Sequence, residues 1–223
     1  GAYDMLTWVI SELYKKHLYL LESDRINECD KEIARQLIRG NASLKDTKGS
    51  LMLLTRLLQQ YYGKPVILLI DEYDVPVAKA NNNGYYKEML DVMKGLMQAL
   101  KDNQALRFAI ITGCLKIAKE SIFTGTNNLV SDTITDTRLN EYFGFIQKDV
   151  EQILRDAGSI DHLERVKSWY DGYHFGRMDV YCPWDVMNYI RDIQRDSDTR
   201  PKSYWMNTSD NGIIRSFIDI AGS

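Results

Sequence analysis

The chain has 223 residues, 44% hydrophobic and 26% charged, with a net charge of −3 from 28 basic and 31 acidic side chains. This is ordinary globular usage, enough for one large domain or a domain with an appendage, and it argues against a strongly basic nucleic-acid binder while leaving local nucleic-acid contact possible. The longest apolar run, Val66–Ile70, is far below the ~18 residues of a membrane span, and three scattered cysteines (Cys29, Cys114, Cys182) suit a reducing compartment, so the expectation is a cytoplasmic protein with no membrane partner.

Residues 1–62 read helical. Met5, Leu6, Val9, Ile10, Leu13, Tyr14, Leu18 and Leu21 follow helical spacing. Ser23-Asp24 can cap a second helix, stopped by Gly40-Asn41, and Ser43 opens a third that ends at Gly63. The texture changes at Lys64-Pro65. Val66–Ile70 is short and apolar on both parities, the pattern of a parallel strand covered on both faces. A polar loop at 81–84, a helix over 85–100 and a second buried strand over 106–113 complete a βαβ unit.

Residues 114–140 are rich in Thr, Asn and Asp, and 142–145 form a short apolar stretch that could be a third strand. Helices are expected at 147–157 and 161–170, then an aromatic turn over 169–176, whose rings pack on the core and whose Gly172 and Gly176 take positive φ. Pro183 suits the first turn of a helix running to about 195, and a last helix is expected near 210–220. Trp184, Tyr204 and Trp205 are expected in the core of a small C-terminal subdomain. The domain break is placed near 145: an α/β part over 1–145 and a helical part over 146–223.

Chemistry concentrates after the first strand. In open α/β sheets, ligands bind beyond the carboxyl ends of the strands, where Asp71 and Glu72 follow Val66–Ile70 directly. This has the form of a Walker B element. Asp71 would hold Mg²⁺, a hard ion that keeps part of its hydration shell, and Glu72 would orient or deprotonate the attacking water. Thr112 ends the next strand, where a polar side chain can sense a γ-phosphate. Lys116 and Lys119, just beyond it, could reach phosphate, and Arg138 has a similar standing. The histidines share no ligand spacing with the cysteines.

The strings Leu69-Ile-Asp-Glu-Tyr-Asp74-Val-Pro76, Phe108-Ala-Ile-Ile-Thr-Gly113, Ile117-Ala-Lys-Glu-Ser-Ile-Phe123 and Asn127-Asn128-Leu129 resemble the predicted AAA-ATPase-like family of bacteria. So do Phe143-Gly-Phe145, Trp169-Tyr-Asp-Gly-Tyr173, Phe175-Gly176 and Tyr181-Cys-Pro-Trp184, and the likeness runs over about residues 61–219. The resemblance implies a P-loop ATPase core with a helical, winged-helix-like extension, often fused to a PD-(D/E)xK nuclease-like domain, with ATP and Mg²⁺ as ligands.

The sequence departs from that pattern at the phosphate loop. Gly63-Lys64 is followed by Pro65 and enters a strand, so it cannot present helix N-terminal amides to phosphate, and Lys48-Gly49-Ser50 has the wrong order. The expectation is a fragment beginning after the loop, inactive on its own. Calorimetry with Mg-ATP should show no micromolar binding to these 223 residues, and micromolar affinity would overturn this. Two other readings stand beside the ATPase. One is a non-catalytic interaction or oligomerisation module on a degenerate ATPase fold. The other is a metal-dependent nuclease using Asp71, Glu72 and Asp74. An incomplete sheet also leaves the strand at 106–112 with an open edge, which predicts self-association, with the helical N-terminal segment packed over part of the exposed sheet face.

Overall fold

Residues 1–62 fold into three α-helices in a computed structural model that describes residues 1–114, 123 and 129–206. Helix α1 (Ala2–Lys15) stops sooner than the apolar periodicity predicts, because Leu18 and Leu21 belong to a 3-10 turn, Leu18–Glu22. Helix α2 (Glu28–Arg39) is capped by Asn27 rather than Ser23-Asp24: the Asn27 carboxamide oxygen accepts the Asp30 N–H at 2.9 Å. Helix α3 (Leu44–Tyr62) starts where expected, with the Ser43 hydroxyl accepting the Asp46 N–H at 3.1 Å. Gly40 and Gly63 end α2 and α3 in the left-handed conformation that glycine adopts without a Cβ penalty.

The chain divides into two compact units, 1–128 and 129–223. In the first, β1 (Val66–Ile70) and β2 (Leu106–Ile111) pair in parallel, joined through α4 (Val75–Asn82) and α5 (Tyr86–Met97). This is the expected βαβ unit with one more helix. Pro76 sits in the first turn of α4, and Val77, Ala78 and Ala80 are buried along it. The core gathers Ile10, Tyr14, Leu37, Leu53, Leu57, Met89, Met93 and Leu96 from α1, α2, α3 and α5. Tyr14 donates its buried hydroxyl to the Ser50 carbonyl at 2.7 Å, and burial raises its pKa well above the phenol range. Arg56 on α3 holds Asp30 on α2 at 2.7 Å.

The expectation of a sheet covered on both faces is corrected. Ile70 and Ile111 pack against the helical core. On the opposite face Ile67, Leu69, Phe108 and Ile110 are 50%, 68%, 45% and 53% exposed. The register sets Ile67 beside Phe108 and Leu69 beside Ile110, so these four side chains form one patch. Neither strand has a second neighbour among the described residues.

The second unit contains α6 (Gln147–Asp156), α7 (Leu163–Tyr170) and α8 (Pro183–Ile193), with a hairpin of β3 (Asp171–Phe175) and β4 (Met178–Tyr181) between the last two helices. The aromatic segment is therefore a hairpin, turning at Gly176 with φ 59°, while Gly172 lies outside the left-handed region. Its rings divide: Tyr170 is buried, whereas Trp169 and Tyr173 are about half exposed. Val150, Leu154, Val166, Tyr181, Val186 and Tyr189 form the core. Trp184 and Trp205 are also half exposed and meet edge to face at 6.4 Å, a correction to their expected burial. The 142–145 stretch supplies one bridge, Phe145 with Tyr181, rather than a strand. The helix expected near 210–220 lies outside the described residues. No helix among those described is long and apolar enough to cross a membrane.

Candidate functional site

Beyond Ile70 and Ile111 the two strands stay linked for several residues. Thr112 N–H donates to the Ile70 carbonyl at 2.9 Å, and Tyr73 N–H donates to the Thr112 carbonyl at 3.2 Å. Asp71 and Glu72 lie between these two bonds, at the carboxyl end of β1, and both are exposed. The Thr112 hydroxyl donates to Asp71 Oδ1, and the same oxygen accepts the Glu72 N–H at 2.9 Å. Asp71 Oδ2 makes no hydrogen bond among the described residues, and neither does the Glu72 carboxylate.

Glu72 has φ 52°, a left-handed conformation that a side chain with a Cβ adopts at a cost of about 1–2 kcal/mol. Strain of this kind collects where a side chain must be aimed. The result is a pair of exposed carboxylates whose oxygens are hard donors for a divalent cation. Among the described residues, no group of three or more His, Cys, Asp or Glu could hold a metal ion. Mg²⁺ is bound in protein sites through one or two carboxylates together with phosphate oxygens and water.

The negative field is visible at Cys114. Partial burial pushes its thiol pKa up, and Asp74, Glu72 and Asp71 push it the same way, so the thiol stays protonated at neutral pH. Asp74 itself is turned inward and only 3% exposed, unlike Asp71 and Glu72. It therefore does not join them as a third ligand, which removes the geometric basis of the direct nuclease reading. Arg138 is engaged by Asp132 through Nε at 3.0 Å and a second guanidinium nitrogen. Lys116 and Lys119 lie outside the described residues.

Gly113, which the sequence places at the end of the second strand, is the tightest point of the site. A Cβ there would come within 2.6 Å of Asp74 Oδ1 and 2.6 Å of the Tyr73 ring. The Tyr73 ring is itself packed on Phe123, with centroids 5.3 Å apart. Gly113→Ala should therefore destabilise the first unit by about 1–3 kcal/mol, as overpacking does. Urea unfolding followed by circular dichroism checks this, and an unshifted midpoint would show that the loops give way freely.

A family model described as "Predicted AAA-ATPase", AAA-ATPase-like, matches residues 3–123, from α1 through β2 and the acidic loop. A curated protein of Azotobacter chroococcum mcd 1, described as an uncharacterized protein in the vnfD 5' region, is 32% identical over 150 residues. The match covers 66% of this chain and 27% of that protein, so the chain spans about a quarter of this relative's length. No solved structure matches the chain.

Proposed function

The chain belongs to the AAA-ATPase-like family, and on that premise we propose that Asp71, Glu72 and Thr112 form the magnesium- and water-handling side of an ATP site. One observation carries the reading: two exposed carboxylates follow a parallel strand directly, and the first is tied to a threonine at the end of the neighbouring strand. Asp71, fixed through Oδ1, offers Oδ2 to Mg²⁺. The ion, when bound, supplies charge neutralisation for the β- and γ-phosphates. Glu72, on its strained backbone, orients the attacking water and takes its proton. Thr112 holds Asp71 and stands where a γ-phosphate would be sensed, and Lys116 and Lys119 are proposed as phosphate contacts.

The phosphate-cradling amides of such a site must come from elsewhere, because the 223 residues contain no Gly-x-x-x-x-Gly-Lys-Ser/Thr string. These residues are therefore proposed to be inactive alone and to act within a longer chain that supplies the loop. Mg-ATP hydrolysis by the protein expressed from its whole gene, compared with its Glu72→Gln variant, tests the assignment. In the second unit, the hairpin between α7 and α8 supports reading it as a winged-helix-like extension. Free Cys29, Cys114 and Cys182 support a reducing, cytoplasmic setting.

A second reading, an oligomerisation platform on an ATPase fold, is favoured by the open patch of Ile67, Leu69, Phe108 and Ile110. Both readings allow the chain to associate with itself through that face.

A further inference from the structure

We propose that Asp74 is a positioning residue whose buried carboxylate latches the loop after β2 to the loop after β1, and so holds Thr112 against Asp71. It follows the two exposed acids by only two positions but has the opposite environment. Asp74 is 3% exposed, and its Oδ2 accepts the Cys114 N–H at 3.0 Å, across to the other loop. Its own carbonyl accepts the Ala78 N–H at 2.9 Å in the first turn of α4, so the side chain is anchored at a helix start. Its Oδ1 is one of the atoms that leave no room for a Cβ at Gly113.

These contacts extend the parallel pairing past the strands. The order along the two loops is Thr112 N–H to Ile70, Tyr73 N–H to Thr112, and Cys114 N–H to Asp74. The last is made by a side chain because β1 has already turned into α4 and presents no further strand carbonyl. Asp71 and Glu72 lie inside this zipped segment, while their carboxylates face solvent. Without the Asp74 latch, the Gly113–Cys114 end loses the hydrogen bond that ties Cys114 to the β1 side among the described residues. The Thr112 hydroxyl then samples positions away from Asp71 Oδ1.

The catalytic consequence rests on reading Asp71 and Glu72 as the nucleotide site, but the latch itself does not. Two measurements separate them. In the 223-residue chain, hydrogen exchange of the Cys114 and Tyr73 amides should speed up about tenfold or more in Asp74→Ala, while amides within the β1–β2 ladder keep their rates. Asp74→Asn retains a carbonyl acceptor of the same reach and should restore protection at Cys114 to within about threefold of the parent. In the whole protein, Asp74→Ala should lower kcat with KM for Mg-ATP little changed.

Equal acceleration at ladder and loop amides would mean that Asp74 only supports global stability, and the latch would be wrong. Unchanged exchange at Cys114 in Asp74→Ala, or failure of Asp74→Asn to restore it, would overturn it too. Local loosening with rescue by Asn supports the latch. If that is seen in a whole protein that hydrolyses no ATP, the latch stands and the ATPase assignment fails.

Discussion

Glu72→Gln should slow ATP turnover in the whole protein by orders of magnitude while leaving Mg-ATP bound. Glutamine keeps the size of the side chain and makes the same demand on a backbone at φ 52°. The substitution therefore removes the base without altering the strain or the shape. The Asp71 interactions are also preserved, because the Glu72 contact to Asp71 Oδ1 comes from the backbone N–H. What disappears is the carboxylate that accepts a proton from water, a contribution of roughly 10²–10⁴ in rate. Steady-state turnover should fall by about that factor, with the dissociation constant for Mg-ATP within a few-fold of the parent. Unchanged turnover would remove Glu72 from the mechanism. A parallel loss of nucleotide affinity would instead place it among the metal ligands.

The residues that define this site differ in how far the sequence exposes them. Asp71, Glu72 and Thr112 are legible because they follow runs whose apolar character marks them as strands, and strand ends in α/β sheets point to ligands. The Ser43 cap and Gly63 are legible for a similar reason, since the cause lies within a few residues, whereas the α2 cap falls on Asn27 and not on the expected Ser23-Asp24. Asp74 is not legible. It carries the same side chain as Asp71, and only the start of α4 and the approach of Gly113 decide that it turns inward. Helix α4 escaped because an acidic turn and an asparagine-rich end flank its short apolar stretch. The β3–β4 hairpin escaped because Asp-Gly-Tyr-His-Phe shows no clean alternation, and most of β3 is exposed.

The open sheet face shows the limit from the other side. Val66–Ile70 is apolar on both parities, which correctly signals a strand but wrongly predicts cover on both of its faces. Sequence pattern reports what a face is suited to, not which element is present to cover it. Here α1–α5 cover one face, and Ile67, Leu69, Phe108 and Ile110 remain on the other. A strand with that composition and an unpaired edge is a template for pairing with another chain.

A second copy of this chain is accordingly expected on that face. The four side chains are each about half exposed, and full burial of such a residue contributes roughly 1.5–3 kcal/mol, so the patch can add about 3–6 kcal/mol per protomer. A two-fold pair buries the patch on both copies, about 6–12 kcal/mol, against an association cost of roughly 4–15 kcal/mol. The two ranges overlap, so the expected dimer is weak, with a dissociation constant no tighter than about micromolar. Sedimentation equilibrium should show the 223-residue chain as a monomer at low micromolar concentration and a dimer at several hundred micromolar. Leu69→Lys should abolish the dimer, because a lysine placed at the centre of the patch cannot be desolvated against its own copy. It should cost little stability, because Leu69 is already 68% exposed in the single chain. Leu57→Ala, which removes a buried side chain from the helical core, should do the reverse: lower the melting temperature and leave association intact. A chain that stays strictly monomeric at several hundred micromolar, or a dimer that survives Leu69→Lys, would show that this face does not bind a second copy.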